Sequence, residues 1–200
     1  MTGGGQRARR DPVRTRRLLL DAAATALATH GLGVSVDTIA RTAGVSKSGL
    51  LHHFPTKDDL FVALARDAYE RFAREVEAHT EPADLAPGRI MRAYLRASFA
   101  ALGTDEPTTG YWGVEAQLSV VPAVADVIRA NAEDWQERLT ADGFDPDVMR
   151  LVLLAVTGAE MASGVGAAPA STARRVEEQL LRLTHRADAL RSLLDVAPPP

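Results

Sequence analysis

Cysteine is absent from the 200 residues, and with it go disulfide scaffolds, thiolate nucleophiles, zinc ribbons and iron–sulfur clusters. A chain of this composition is most at home in a reducing cytosol. No apolar run approaches the roughly 20 residues that a membrane span requires. Arg16 to Ala28 imitates a secretion signal, with a basic start and a leucine run, but Asp21 falls inside what would be its apolar core. Catalytic motifs are missing too. There is no Glu-x-x-His pair for a di-iron bundle, no Walker Gly-x-x-x-x-Gly-Lys and no Gly-x-Ser-x-Gly elbow. The nearest approach, Gly44-Val45-Ser46-Lys47-Ser48, lacks the closing glycine. The expectation is a cytoplasmic protein that is not an enzyme and carries no metal or cofactor.

What the chain does have is apolar content and unevenly placed charge. At 46% hydrophobic residues it can bury a sizeable core. Residues 1–60 carry 9 Lys/Arg against 5 Asp/Glu, whereas residues 61–200 carry 14 against 21. Arg7, Arg9, Arg10, Arg14, Arg16 and Arg17 crowd the start. Such a cluster is either a solvated tail or an arm for a polyanion, whose counterions are released when its phosphates are neutralised.

Strand signals are nearly absent and helix signals recur, so the expected fold is all-α. Asp11-Pro12 reads as N-cap and first helical residue, with Leu19, Leu20, Ala23, Ala24 and Leu27 on one face until Gly31. Ser35 caps a short helix ending at Gly44, and Ser46 caps another that Pro55 ends. Thr56 with Asp59 forms a capping box for a long fourth helix, in which Leu60, Phe61, Leu64, Ala68 and Phe72 share a side. After a linker over 82–88, helices are expected over about 90–102, from near Tyr111, from near Pro122 and over 148–163, the last behind Asp145-Pro146. Residues 103–110 read as a loop. Ser171 is expected to cap a final helix that fades near the Ala-Pro-Pro-Pro end.

Val36 to Leu60 carries the function. Two short helices flank Gly44-Val45-Ser46, glycine suits the tight turn, and small Ala40 and Ala43 allow a close crossing, the pattern of a helix-turn-helix. Ile39, Val45, Leu50 and Phe54 then point inward, leaving Lys47, Ser48 and Gly49 on the exposed first turn of the second helix. That turn is where a recognition helix presents base-reading groups and where the helix dipole favours phosphate. The residues Ile39-Ala40, Ala43-Gly44-Val45-Ser46-Lys47, His53-Phe54 and Lys57 resemble the signature of the tetracycline-repressor (TetR) family, in a match covering about Thr15 to Phe72. Many members carry a phosphate-contacting tyrosine where this chain has Leu51, so His52 or His53 is the expected substitute. The resemblance implies phosphate contacts from Ser35, Thr38 and Lys57, around the Ser46-capped helix. Lys47 and Ser48 are the base-edge candidates, Lys47 being able to address guanine O6 or N7, with Thr42 a weaker one.

Beyond that segment the resemblance is architectural. It implies a basic arm (1–10), a helix-turn-helix domain (11–58), a helical effector and dimerisation domain (59–195) and a disordered tail (196–200). Tyr94, Phe99, Trp112 and Trp135, with Met91, Met149 and Met161, could line an apolar pocket or simply be core. Glu160, the one carboxylate in the apolar stretch 151–161, is either a ligand anchor or a paired core residue. Val176, Leu180, Leu183, Ala187, Leu190 and Leu194 recur at heptad spacing, and the preceding helix is apolar nearly all round. Val152, Val156, Val176, Leu180, Leu183 and Leu190 are therefore the expected homodimer contacts. The expected function is a regulator, by family inheritance a repressor, that a small molecule releases from palindromic double-stranded operator DNA. A regulator without any effector is the alternative.

Overall fold

The computed structural model describes residues 12–102, 111–164, 166, 167 and 169–194, and every regular element among them is helical. In order these are α1 (Pro12–His30), α2 (Val36–Thr42), α3 (Lys47–His53), α4 (Lys57–Ala78), α5 (Arg89–Leu102), α6 (Tyr111–Leu118), α7 (Ala125–Ala141), α8 (Pro146–Gly164), α9 (Ala170–Thr184) and α10 (Ala187–Leu194), with short 3-10 turns at 31–33 and 122–124. The arm at 1–10, Asp11, the loop at 103–110 and the tail lie outside the described residues.

Local chemistry places these boundaries. Ser35, Ser46 and Thr56 each accept a hydrogen bond from the backbone N–H three residues on, and Asp59 returns the favour to the Thr56 N–H, completing the capping box. Asp145 does the same for α8, its Oδ1 accepting from the Asp147 and Val148 N–H groups.

α4 is the spine. Its first half, Leu60 to Tyr69, is buried with α1–α3 and with Val114, Leu118 and Val124 in one apolar core. Its second half, Phe72 and Val76, belongs to a second core built by α5, α7, α8 and α9. Val114 and Leu118 of α6 thus share one core with the helix-turn-helix region. A quartet of charges fastens α1 to α4: Arg17 bridges Asp21 and Asp67 at 3.0 and 2.7 Å, and Arg71 bridges the same pair at 2.8 and 2.6 Å.

A charged side chain is buried beside the second core. Arg92, fully buried on α5, donates to both carboxylate oxygens of Asp84 (2.5 and 2.7 Å) and to the carbonyls of Pro87 and Ala86 (both 3.0 Å). This fork holds the Asp84 carboxyl below the usual carboxylate range and pins the α4–α5 connection. Gly88 is required beside it: its φ is +81°, and a Cβ there would lie 2.4 Å from the Phe144 ring.

The C-terminal region departs from expectation in two ways. Ser171 caps nothing, since α9 begins at Ala170 behind Pro169. The final helix is not continuous: Thr184, its hydroxyl donating to the Leu181 carbonyl, closes α9, and α10 sets off anew so that Arg191 reaches Asp145 at 2.6 Å. A heptad stripe cannot distinguish a partner's surface from its own bundle, and here most of it is internal. Val152, Val156 and Leu180 are buried in the second core, and half-buried Val176 and Leu190 pack against it while keeping part of their surface open. Leu183 is the one exposed residue of the six. The outward face of α8 instead carries Leu151, Leu154 and Met161, at 45, 67 and 69% exposure.

Candidate DNA interface and interior acidic cluster

α2 and α3 meet around Ile39, Ala40, Leu50 and Phe54, all buried, with Val45 packed against them. Gly44 makes the turn with φ +66°, and the Val45 N–H donates to the Ala40 carbonyl. With its apolar residues inward, α3 has no choice but to expose its first turn. Lys47 and Ser48 are exposed there, Gly49 is half-buried and donates its N–H to Ser46, and the Ser46 and Ser48 hydroxyls lie 3.1 Å apart. Thr42 is exposed on the last turn of α2, on the neighbouring ridge.

The remaining proposed DNA contacts divide. Ser35 is exposed, and its hydroxyl both caps α2 and lies 2.9 Å from that of half-buried Thr38. His52 is exposed, while His53 is half-buried between the His52 and Phe54 rings. Lys57 is half-buried: its ammonium donates to the Leu32 carbonyl at 2.6 Å and lies over the Phe61 ring, so it fastens α4 to the α1–α2 connection. Lys47 forms an ion pair with Asp37 at 2.8 Å, both side chains being more than half exposed. Such a pair is worth at most about 1 kcal/mol in water and exchanges readily for another anion.

Of the pocket candidates, Tyr94, Phe99 and Trp135 are buried in the second core. Tyr94, Trp135 and Phe72 form a mutually edge-on trio with centroids 5.0–5.7 Å apart, and Arg138 lies over the Trp135 face. The Trp112 side chain lies outside the described residues. Met161 is exposed on the outward face of α8.

Glu160 is only 8% exposed, and its Oε1 has no hydrogen-bond partner among the described residues. Burial first, and the charge of Glu115 second, push its carboxyl up to about 9. Glu115, on α6, was not anticipated from sequence. Its charge acts on Tyr69 of α4 and on Tyr94 of α5. Burial drives both tyrosines far upward, so they stay neutral at physiological pH. Four helices thus converge two carboxyl groups and two phenols on one region. A cleft of about 370 Å³ between α4 and α7 is lined by Arg66, Tyr69, Glu70, Asp126, Asn131 and Asp134, among others, making Tyr69 common to cleft and cluster.

A capped, exposed first turn on a helix-turn-helix is here joined by one long helix to a helical bundle. Residues 19–64 match the family described as bacterial regulatory proteins, tetR family, and residues 88–185 match the tetracyclin repressor-like C-terminal domain. The chain is 32% identical over 127 residues to the HTH-type transcriptional regulator RutR of Escherichia coli O157:H7, covering 63% of this chain and 58% of the relative. It is 30% identical over 130 residues to the HTH-type transcriptional repressor AcnR of Corynebacterium diphtheriae, covering 58% and 65%. The chain therefore spans less than two thirds of the length of these curated relatives. Among solved structures, the multidrug binding protein EbrR complexed with imidazole is 30% identical, with 90% of this chain and 97% of that one aligned at a TM-score of 0.65; EbrR complexed with ethidium aligns at 0.64, with 83% and 98% covered. This chain belongs to the tetR family of bacterial regulatory proteins.

Proposed function

We propose that the protein is a homodimeric transcriptional repressor that reads a palindromic operator with α3 and is released by a small molecule held in the α4–α8 bundle. The observation that carries this reading is the exposed first turn of α3, with Lys47 and Ser48 on a helix N-terminus that also favours phosphate. Ser35, Thr38, Thr42 and His52 flank that turn as backbone contacts, and Lys57 supports it from within. AcnR, named a repressor, favours repression over activation, and the EbrR complexes favour a ligand-responsive bundle over an effector-independent regulator.

The dimer is proposed to form through the outward stripe of α8, Leu151, Leu154 and Met161, with Leu183 of α9. Ligand then acts through α4 and α6, because both helices contribute to the core that carries α3. The Arg17–Asp21–Asp67–Arg71 quartet transmits an α4 shift to α1. Affinities for ligand and operator are reciprocally coupled in such a scheme.

The test is Lys47→Ala on an operator selected from random DNA. Binding is expected to weaken by about 1–3 kcal/mol, with preference relaxed at one position in each half-site. A loss of equal size on every sequence would demote Lys47 to a phosphate contact, and unchanged binding would remove α3 from the interface.

A further inference from the structure

We propose that Asp37 on α2 is a specificity-determining residue of the DNA face: it tethers the Lys47 ammonium across the turn, holding that lysine back from phosphates while leaving two of its N–H donors for a base edge. The inference rests on the reading of α3 given above and deepens it by assigning a role to the carboxylate beside the reading group.

Residues 31–57 contain a single acidic residue, Asp37, against Arg41, Lys47 and Lys57. On a surface that faces a polyanion a carboxylate is unfavourable, because it repels phosphate. The N-terminal turn of α2 favours a negative charge, but an exposed one gains little from it. The geometry shows what Asp37 does instead. Its Oδ2 accepts from Lys47 Nζ at 2.8 Å, joining the first turn of α2 to the first residue of α3. The partner expected from spacing is Arg41, four residues along the same helix. That guanidinium donates to the Thr38 hydroxyl at 3.3 Å, and among the described residues the ion-pair partner of Asp37 is Lys47. Lys47 and Lys57 are the two lysines among the 23 Lys/Arg of the chain. An ammonium carries three N–H donors, so one serves Asp37 while two remain for guanine O6 and N7.

The tether discriminates by charge. A free ammonium gains from any phosphate, which strengthens operator and non-specific binding alike. Tethered, Lys47 belongs to a neutral pair, and a phosphate oxygen that approaches it also approaches the carboxylate. A guanine edge carries no net charge, so it accepts from the two remaining donors with far less repulsion. Asp37 therefore weakens the contact to the backbone more than the contact to the base, and the ratio of specific to non-specific binding rises. Both side chains are more than half exposed, so the effect is several-fold rather than a thousandfold.

Asp37→Asn keeps the size and an acceptor and removes the charge. Titrations of the full chain against the selected operator and a scrambled duplex, over a series of salt concentrations, read the consequence. Affinity for the scrambled duplex should rise about threefold or more, and its salt slope should steepen by about 0.9 for each recognition helix as Lys47 gains a phosphate. Operator affinity should rise less, so the specificity ratio falls by about threefold or more. Repeating the selection should show preference relaxed at the same position that Lys47→Ala relaxes. In a Lys47→Ala background, Asp37→Asn should change neither that preference nor the ratio. Asp37→Glu, which keeps the charge, should stay within about twofold of the wild-type ratio. An unchanged ratio in Asp37→Asn, a fall in ratio that persists without Lys47, or an Asp37→Glu ratio as low as that of Asp37→Asn would each overturn the inference. So would a loss of operator affinity that tracks a lowered Tm in both variants, which would assign Asp37 to the stability of α2. A wild-type chain that selects no sequence sinks the reading of α3 itself, whereas normal selection with an unchanged Asp37→Asn ratio sinks the role of Asp37 alone.

Discussion

Leu154→Glu is expected to give a folded monomer whose operator affinity has fallen to its non-specific level. At 67% exposure the side chain contributes little to its own subunit, so the fold should be altered by no more than about 0.5 kcal/mol. Against a partner's α8 the same carboxylate would be buried in an apolar seam with Leu151 and Met161, costing several kcal/mol. DNA affinity is sensitive to this because two linked recognition helices address two half-sites at high effective concentration, and losing the link removes the specific increment, on the order of a thousandfold or more. Sedimentation at micromolar concentration together with operator titration checks both halves. A variant that stays dimeric and binds normally would move the interface away from α8. Val152→Glu is the contrasting control: two residues away but buried, it should unfold the chain rather than dissociate it.

Arg92→Ala should destabilise the fold by about 3–5 kcal/mol, the usual cost of breaking a buried pair and leaving its partner behind. Asp84 would lose both of its bonds to the guanidinium, and the Ala86 and Pro87 carbonyls would each lose a donor. Arg92→Lys should recover little, because a single ammonium cannot reproduce a fork that serves four acceptors. Arg92→Met combined with Asp84→Leu should recover much of the loss, since removing both charges leaves no orphan. Denaturant unfolding reads all three. An Arg92→Ala variant within 0.5 kcal/mol of wild type would show the pair to be ornamental.

The DNA-facing half was legible from sequence because its signals are local. Ser35, Ser46 and Thr56 cap where they were expected to, Gly44 turns the chain, and Ile39, Leu50 and Phe54 are buried as their spacing requires. The Lys57 ammonium donates to the Leu32 carbonyl, a contact that no local sequence pattern announces. The C-terminal half was less legible because its information is tertiary. Most of the heptad stripe of 176–190 packs on the same chain, and the all-round apolar character expected from Leu151 to Val156 resolves into buried Val152 and Val156 and outward Leu151 and Leu154. Glu160 stood out as a carboxylate in an apolar run. Glu115 and Tyr69 did not, because only the packing of α4 against α6 brings them together. Arg92 left a usable trace: it sits among Met91, Leu95 and Ser98 on the face of α5 that must turn inward.

The central claim is that two copies of α3 read DNA together, and selecting preferred duplexes from a random pool tests it most directly. The enriched sequences should contain two inverted half-sites at one fixed spacing. Their half-site preference should weaken at one position when the selection is repeated with Lys47→Ala. Enrichment of a single unpaired half-site, or of no sequence at all over non-specific DNA, would contradict it.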